Sequence, residues 1–200
     1  MRLYFAPGCP YAQRTRALLA ALNEAFDAVE IDLSNKPPEF LAKSPTGAVP
    51  MLEDGDFVLF ESAVVNEYLA EKFAWKDAYA PDVKQRARER LAMRRFDDVL
   101  VPLFFRALKD DGAVEANKSW EKELAYFADV VRESKPRSLL GFHVATHWVR
   151  MKWVKPSSPL VMAMQRAAGT FLDAAAALPE VVHTLPDREA TTKAILTRFG

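Results

Sequence analysis

The chain has one cysteine in 200 residues, and that scarcity sets the first limits on what it can do. One thiol cannot form a disulfide within the chain, and the absence of a CxxC pair removes zinc ribbons and dithiol redox couples. Excess charge of one sign is also missing. Lys plus Arg and Asp plus Glu number 27 each, so the overall balance gives no support to a nucleic-acid partner. No apolar run approaches the length that spans a bilayer, and Met1 to Phe5 is too short for a signal peptide. The expectation is a soluble cytoplasmic protein without a membrane partner, in a compartment that keeps its thiol reduced. No low-complexity linker divides the chain, and with half its residues hydrophobic it can form one large domain or two small ones.

What is present changes character along the chain. Arg2 to Phe5 is β-prone, and Pro10 to Leu22 carries Thr15, Leu18, Leu19 and Leu22 at helical spacing. Phe26 to Leu33 alternates as a half-buried strand, and Pro37 to Lys43 is a short helix. Val49 to Glu53 and Phe57 to Phe60 form two strands around Asp54-Gly55, and Ser62 to Phe73 closes with a helix. The order βαβ, α, ββα predicts an α/β thioredoxin-like domain over residues 1–75. Residues 82–200 predict an all-α bundle, with helices over Val83 to Ala107, Val114 to Ser134, Val144 to Val154, Pro159 to Leu178 and Arg188 to Phe199. Pro102 should kink the first of these beside Phe104 and Phe105, where a bend could shape a pocket. Residues 1–75 carry 6 basic and 11 acidic side chains while 76–200 carry 21 and 16, an asymmetry that fits head-to-tail pairing of two subunits.

Cys9 falls where the first strand turns into the first helix, with Pro10 suited to the first helical position. A thiol there faces unpaired backbone N–H groups and the positive end of the helix dipole, which favour thiolate. Cys9 is the candidate nucleophile, and the sequence predicts a thiol pKa below the ordinary value. The alternative is a small buried hydrophobe that happens to precede a proline.

Two further segments complete a candidate ligand site. Gly47-Ala48-Val49-Pro50 precedes a strand, and Pro50 is a candidate cis proline that would turn the Val49 N–H and C=O outward to pair with an extended peptide. Glu61-Ser62 lies at a strand-to-helix junction: Ser62 fits an N-cap whose helix could bind a carboxylate, and Glu61 could accept an ammonium. Taken alone, the same pair fits a self-capped helix beside a solvated acid.

Read together, Cys9-Pro10-Tyr11-Ala12-Gln13-Arg14, Ser44 to Pro50 and Glu61 to Leu69 resemble the glutathione transferase superfamily. The resemblance covers about the first 75 residues, and a cysteine followed by Pro, an aromatic and Ala is similar to the omega-like and dehydroascorbate-reductase-like branch. It implies a mixed disulfide between Cys9 and glutathione, with Val49 and a cis Pro50 holding the cysteinyl backbone. It further implies that Glu61 and Ser62 hold the γ-glutamyl end, Lys36 the glycyl carboxylate, and that Leu33 and Tyr11 line the site. Phe104, Phe105 and Trp148 are candidates for an acceptor site, and Tyr11 and Trp153 could join them.

The residues and the resemblance agree on thiol transfer: a thiolate at Cys9 attacks an oxidised or glutathionylated substrate, and free glutathione releases it. Glutathione is then the cosubstrate, no metal is needed, and the resemblance implies a homodimer. Conjugation of glutathione to an electrophile, and a non-catalytic binding protein of the same fold, are the alternatives. His143 and His147 lie four apart but lack the further ligands a metal site needs, and Arg86, Arg90 and Arg94 form a stripe facing solvent or a second subunit. The superfamily's capping box around Gly141 lacks its Asp here, which predicts a weakened helix start.

Overall fold

The computed structural model describes residues 1–112 and 119–200. Four strands form one mixed sheet in the order β2-β1-β3-β4: β1 (Arg2–Phe5), β2 (Asp27–Glu30), β3 (Met51–Asp54) and β4 (Phe57–Phe60). β1 runs parallel to β2 and antiparallel to β3, which in turn pairs antiparallel with β4. β1 is central, and Leu3, Tyr4 and Phe5 are all buried, as expected for a strand covered on both faces. β2 stops at Glu30, shorter than the alternation to Leu33 predicts, and Ile31 continues only through its N–H to the Phe5 carbonyl.

The sheet is flanked by α1 (Pro10–Leu22), α2 (Pro38–Lys43) and α3 (Ser62–Lys72). Helix α1 ends where Asn23 takes the left-handed conformation, φ 56, and returns its N–H to the last-turn carbonyls. From residue 83 onward the described residues are helical: α4 (Val83–Arg95), a π turn (Phe96–Leu100), α5 (Val101–Lys109), α6 (Ser119–Val131), α7 (Leu139–Val154), α8 (Pro159–Ala176), α9 (Pro179–Val182) and α10 (Arg188–Phe199). The expected helix start at Val114 lies outside the described residues. This is the architecture that the resemblance implies, a thioredoxin-like sheet domain followed by a helical domain. No helix among the described residues is long and apolar enough to cross a membrane.

The predicted helix over Val83 to Ala107 is three segments instead of one kinked rod. Pro102 has no N–H to give and crowds the preceding turn, so the chain widens into a π turn, with the Val101 N–H on the Phe96 carbonyl, before α5 resumes. That turn carries Asp97 toward Arg14.

Helix α7 is the centre of the second half, buried from Leu139 through Met151 and packed on both α1 and α8. It begins five residues earlier than predicted, and the doubted cap is intact. Ser138 Oγ accepts from the Gly141 N–H at 3.1 Å and donates to the Lys135 carbonyl at 2.7 Å. Glycine occupies the third helical position because the turn closes tightly there: a Cβ on Gly141 would sit 1.7 Å from the Pro136 carbonyl oxygen. What the helix gives up in a reciprocal acidic cap it gains in a close backbone approach.

Candidate active site

Cys9 occupies the N-cap of α1 with extended backbone, φ −75 and ψ 117, and Pro10 is the first helical residue. Its carbonyl starts the helix by accepting from the Gln13 N–H, while the Tyr11 and Ala12 N–H groups point at the sulfur. The geometry is that of a thiol at a helix N-terminus. The charge state is opposite to the expectation. Burial pushes the Cys9 thiol above its ordinary value, and it outweighs the Ala12 and Tyr11 N–H groups and the Arg150 and Arg14 guanidinium charges that favour the anion. In keeping with a neutral thiol, Cys9 Sγ donates to the Val49 carbonyl at 3.7 Å.

The Val49–Pro50 peptide is cis. Its Val49 carbonyl faces the thiol, where the sequence reading turned it outward, so segments forty residues apart meet at one sulfur. Val49, Pro50, Glu61 and Ser62 line one cleft of about 210 Å³ together with Tyr11. Glu61 takes φ 70, an unusual conformation for a residue with a side chain, of the kind concentrated at ligand sites. Ser62 is not the cap it was expected to be. The cap position falls on Glu61 without a side-chain bond, and Ser62 is the first helical residue, accepting from Arg14 Nη1 at 3.4 Å.

Tyr11 is shared with a second, larger cavity of about 530 Å³ that contains Cys9. Leu33, Phe104 and Phe105 line it, and α10 covers it through Ile195 and Phe199, with the Phe105 and Phe199 rings 4.3 Å apart. Trp148 does not reach it. That side chain is fully buried in the helical core with its indole N–H on Asp173 at 2.8 Å, so its assignment to the acceptor site is corrected: large aromatics at helical spacing went to packing. Trp153 lies in a separate surface groove under α10. Lys36 stands over Gly47, where a Cβ would be 3.5 Å from its Nζ, outside both cavities.

Behind the clefts lies a polar network that the sequence reading missed. Arg14, fully buried, pairs with Asp97 at 2.6 and 3.0 Å, donates to the His143 carbonyl at 2.8 Å and lies 3.1 Å from His147 Nδ1. His143 Nε2 is 3.1 Å from Asp97 Oδ2 but off the line of a good hydrogen bond. The two histidines are both part of this network. Arg150 was also missed: it is 3% exposed, lines the larger cavity, and donates to Gln13 Oε1 at 2.6 Å and the Gly8 carbonyl at 3.2 Å. A signal was available, since an arginine between Trp148, Val149 and Met151 interrupts an apolar helix.

Of the arginine stripe on α4, Arg90 pairs with Glu67 at 2.9 Å and stacks over Tyr79, and Arg94 pairs with Asp98 at 2.6 Å.

A thiol at a helix start, beside a cis proline and a Glu-Ser turn with Glu61 at positive φ, lies under a helical domain that closes a second cavity, on a thioredoxin-like sheet. The family model for the glutathione S-transferase N-terminal domain matches residues 3–77. The mouse (Mus musculus) glutathione S-transferase omega-1 is 32% identical over 126 residues, 62% of this chain and 52% of that protein. A probable glutathione transferase of Aplysia californica is 39% identical over 83 residues, 42% of this chain and 90% of that protein. The glutathione transferase Omega 1C of Trametes versicolor shares the fold, with a TM-score of 0.79 at 23% identity over 99% of this chain and 95% of that one. The alignment spans about half the length of the omega relatives. The chain belongs to the glutathione transferase superfamily, and omega-class members are among the proteins it resembles.

Proposed function

We propose that the chain is a glutathione-dependent thiol transferase or reductase acting through a mixed disulfide at Cys9. The observation that carries this reading is one juxtaposition: the only thiol lies at a helix N-terminus, bonded to Val49, beside the cleft that gathers Pro50, Glu61 and Ser62. In this reading residues 1–75 are the glutathione-binding domain and residues 82–200 the helical domain that supplies most of the acceptor wall. Glutathione lies along Val49 as an added strand, its γ-glutamyl end at Glu61 and Ser62. Lys36 and Leu33 flank its glycyl end, and Tyr11 divides it from the acceptor.

The Cys9 thiolate attacks the glutathionyl sulfur of a mixed disulfide, RS–SG. The sulfur–sulfur bond of RS–SG breaks, and the leaving RS⁻ takes up a proton as RSH. A second glutathione, having given up that proton, attacks the Cys9–glutathione bond; it leaves as glutathione disulfide and returns Cys9 as thiolate. The substrate is thereby reduced by two electrons drawn from glutathione. Docking a peptide N–H on the Val49 carbonyl competes with the thiol for that acceptor and turns the sulfur toward the Tyr11 and Ala12 N–H groups. The name of the mouse relative is consistent with this class of chemistry.

Conjugation is the second reading, and the neutral Cys9 favours it, because a protonated sulfur is a weak nucleophile for the first. The readings separate with Cys9→Ala. Under the first, reduction of the cysteine–glutathione mixed disulfide disappears in the variant; if instead the variant keeps that activity, Cys9 is not the nucleophile. Conjugation to an aryl halide that survives the substitution supports the second.

We further propose a homodimer that works in the cytoplasm. Val64 on α3 and Leu91 on α4 expose apolar side chains, 52% and 49%, and Arg86 and Arg90 line a groove with Glu67 and Glu71 between the same two helices, which supports a second copy docking on them. A monomeric mass by light scattering at micromolar concentration contradicts it.

A further inference from the structure

The guanidinium of Arg150 is buried beside Cys9 with no carboxylate paired to it among the described residues. A buried cation is costly unless an anion or a full set of acceptors compensates it. Here the acceptors are neutral and incomplete: Gln13 Oε1 and the Thr146 carbonyl take Nη1, at 2.6 and 2.7 Å, and the Gly8 carbonyl takes Nη2 at 3.2 Å, leaving Nε buried without a partner. Burial pulls this guanidinium down to about 10, and the nearby Cys9 sulfur is the group that raises it. The bond to Gly8 ties it to the residue preceding the cysteine, so its place relative to the sulfur is fixed by the loop itself.

We propose that Arg150 is a positioning residue whose charge is the counter-ion of the Cys9 thiolate. This rests on the reading of Cys9 as nucleophile and adds the partner that makes its anion affordable in a buried setting. The charge acts twice in the exchange. It raises the fraction of attacking thiolate in the first step, and in the second it stabilises the Cys9 thiolate as the leaving group when glutathione breaks the mixed disulfide. The other groups that face the sulfur or its cavity are Tyr11 and Arg14 on α1, His147 on α7 and Arg198 on α10. Of the two guanidinium charges that favour the Cys9 anion, Arg14 already holds Asp97, and burial keeps His147 neutral, which leaves Arg150 as the one of the two without an anion of its own.

The test reads the thiol and needs no glutathione. Since Cys9 is the only cysteine, alkylation by iodoacetamide followed by intact mass across pH gives its titration directly. Arg150→Gln should raise the thiol pKa by about 1 or more, the scale of an opposite charge close by, and Arg150→Lys should restore most of that change. A folded Arg150→Gln protein with the wild-type titration overturns the proposal, as does a rise of the same size in Arg150→Lys. If Arg150→Gln does not fold, the wild-type chain decides: anionic iodoacetate should react faster relative to iodoacetamide at Cys9 than it does at free glutathione. A ratio no higher than that of glutathione overturns the proposal. Wild-type protein that shows the Arg150-dependent titration but takes up no glutathione retains this inference and loses the thiol-transferase reading.

Discussion

Arg14 and Asp97 meet in a two-point ion pair that joins the first helix of the sheet domain to the π turn of the helical domain, with bonds of 2.6 and 3.0 Å. Arg14 has no exposure and Asp97 a quarter, so the pair is shielded from solvent on one side and Asp97 remains reachable on the other. The same guanidinium donates to Ser62, which ties the packing of the two halves to the wall of the smaller cleft.

Asp97→Asn should therefore cost about 3 kcal/mol of stability, because it leaves the Arg14 charge buried without its anion. Urea denaturation checks this. A midpoint unchanged from wild type would mean that solvent screens the pair despite its burial.

Acid should unfold the protein through the same network. Burial works against the Asp97 carboxylate, but His143 and Arg14 beside it prevail and hold it well below the usual carboxylate range. Burial, and then the Arg14 charge, lower His143 to about 4. An unfolded histidine takes its proton near pH 6.5, so stability falls as pH drops from about 6.5 to about 4, by about 3 kcal/mol from this group alone. Below that range the Asp97 contribution is lost as well. Denaturation at pH 7 and pH 4.5 measures the first step, to which His147, lowered by the same burial, also contributes, and His143→Gln should reduce it.

Much of the fold was legible because the signals were local. Alternating or apolar runs bounded by Pro and Gly gave the strands, and Pro10 marked the start of α1. Val49-Pro50 and Glu61-Ser62 could be named because each is a short segment at an element boundary. The remainder depended on contacts across the chain. Nothing near Asp97 says that a π turn will bring it to Arg14, since that turn is a response to Pro102. Trp148 carried the same helical spacing whether it faced a cavity or the core. The Cys9 protonation state depends on the same kind of contact: the helix start is visible in the sequence, while the burial that outweighs it arises where distant segments such as Val49 close over the sulfur.

The cap of α7 gives a prediction about packing. Gly141→Ala should destabilise by at least about 2 kcal/mol, because the new Cβ meets the backbone of Pro136 instead of a movable side chain. Ser138→Ala, which removes the cap bond and the bond to the Lys135 carbonyl without a backbone clash, should cost about 1 kcal/mol. Thermal unfolding of both variants tests the order, and a larger loss at Ser138 would contradict it.

Glu61 separates binding from strain. Glu61→Gln keeps the side-chain shape and removes its charge, and should raise the glutathione KM about tenfold without changing the melting temperature. Glu61→Gly removes the side chain where φ is 70, and should show the same KM increase with stability unchanged or higher by about 1 kcal/mol. Equal glutathione KM in wild type and both variants would remove Glu61 from the site.

The central claim is that Cys9 carries the glutathionyl group. Intact mass after exposure to glutathione disulfide tests it most directly, because there is no other thiol in the chain to confuse the result. One glutathionyl adduct is expected, faster with rising pH, reversed by free glutathione and absent in Cys9→Ala. A folded wild-type protein that stays unmodified under conditions where a small-molecule thiol is fully exchanged would contradict it.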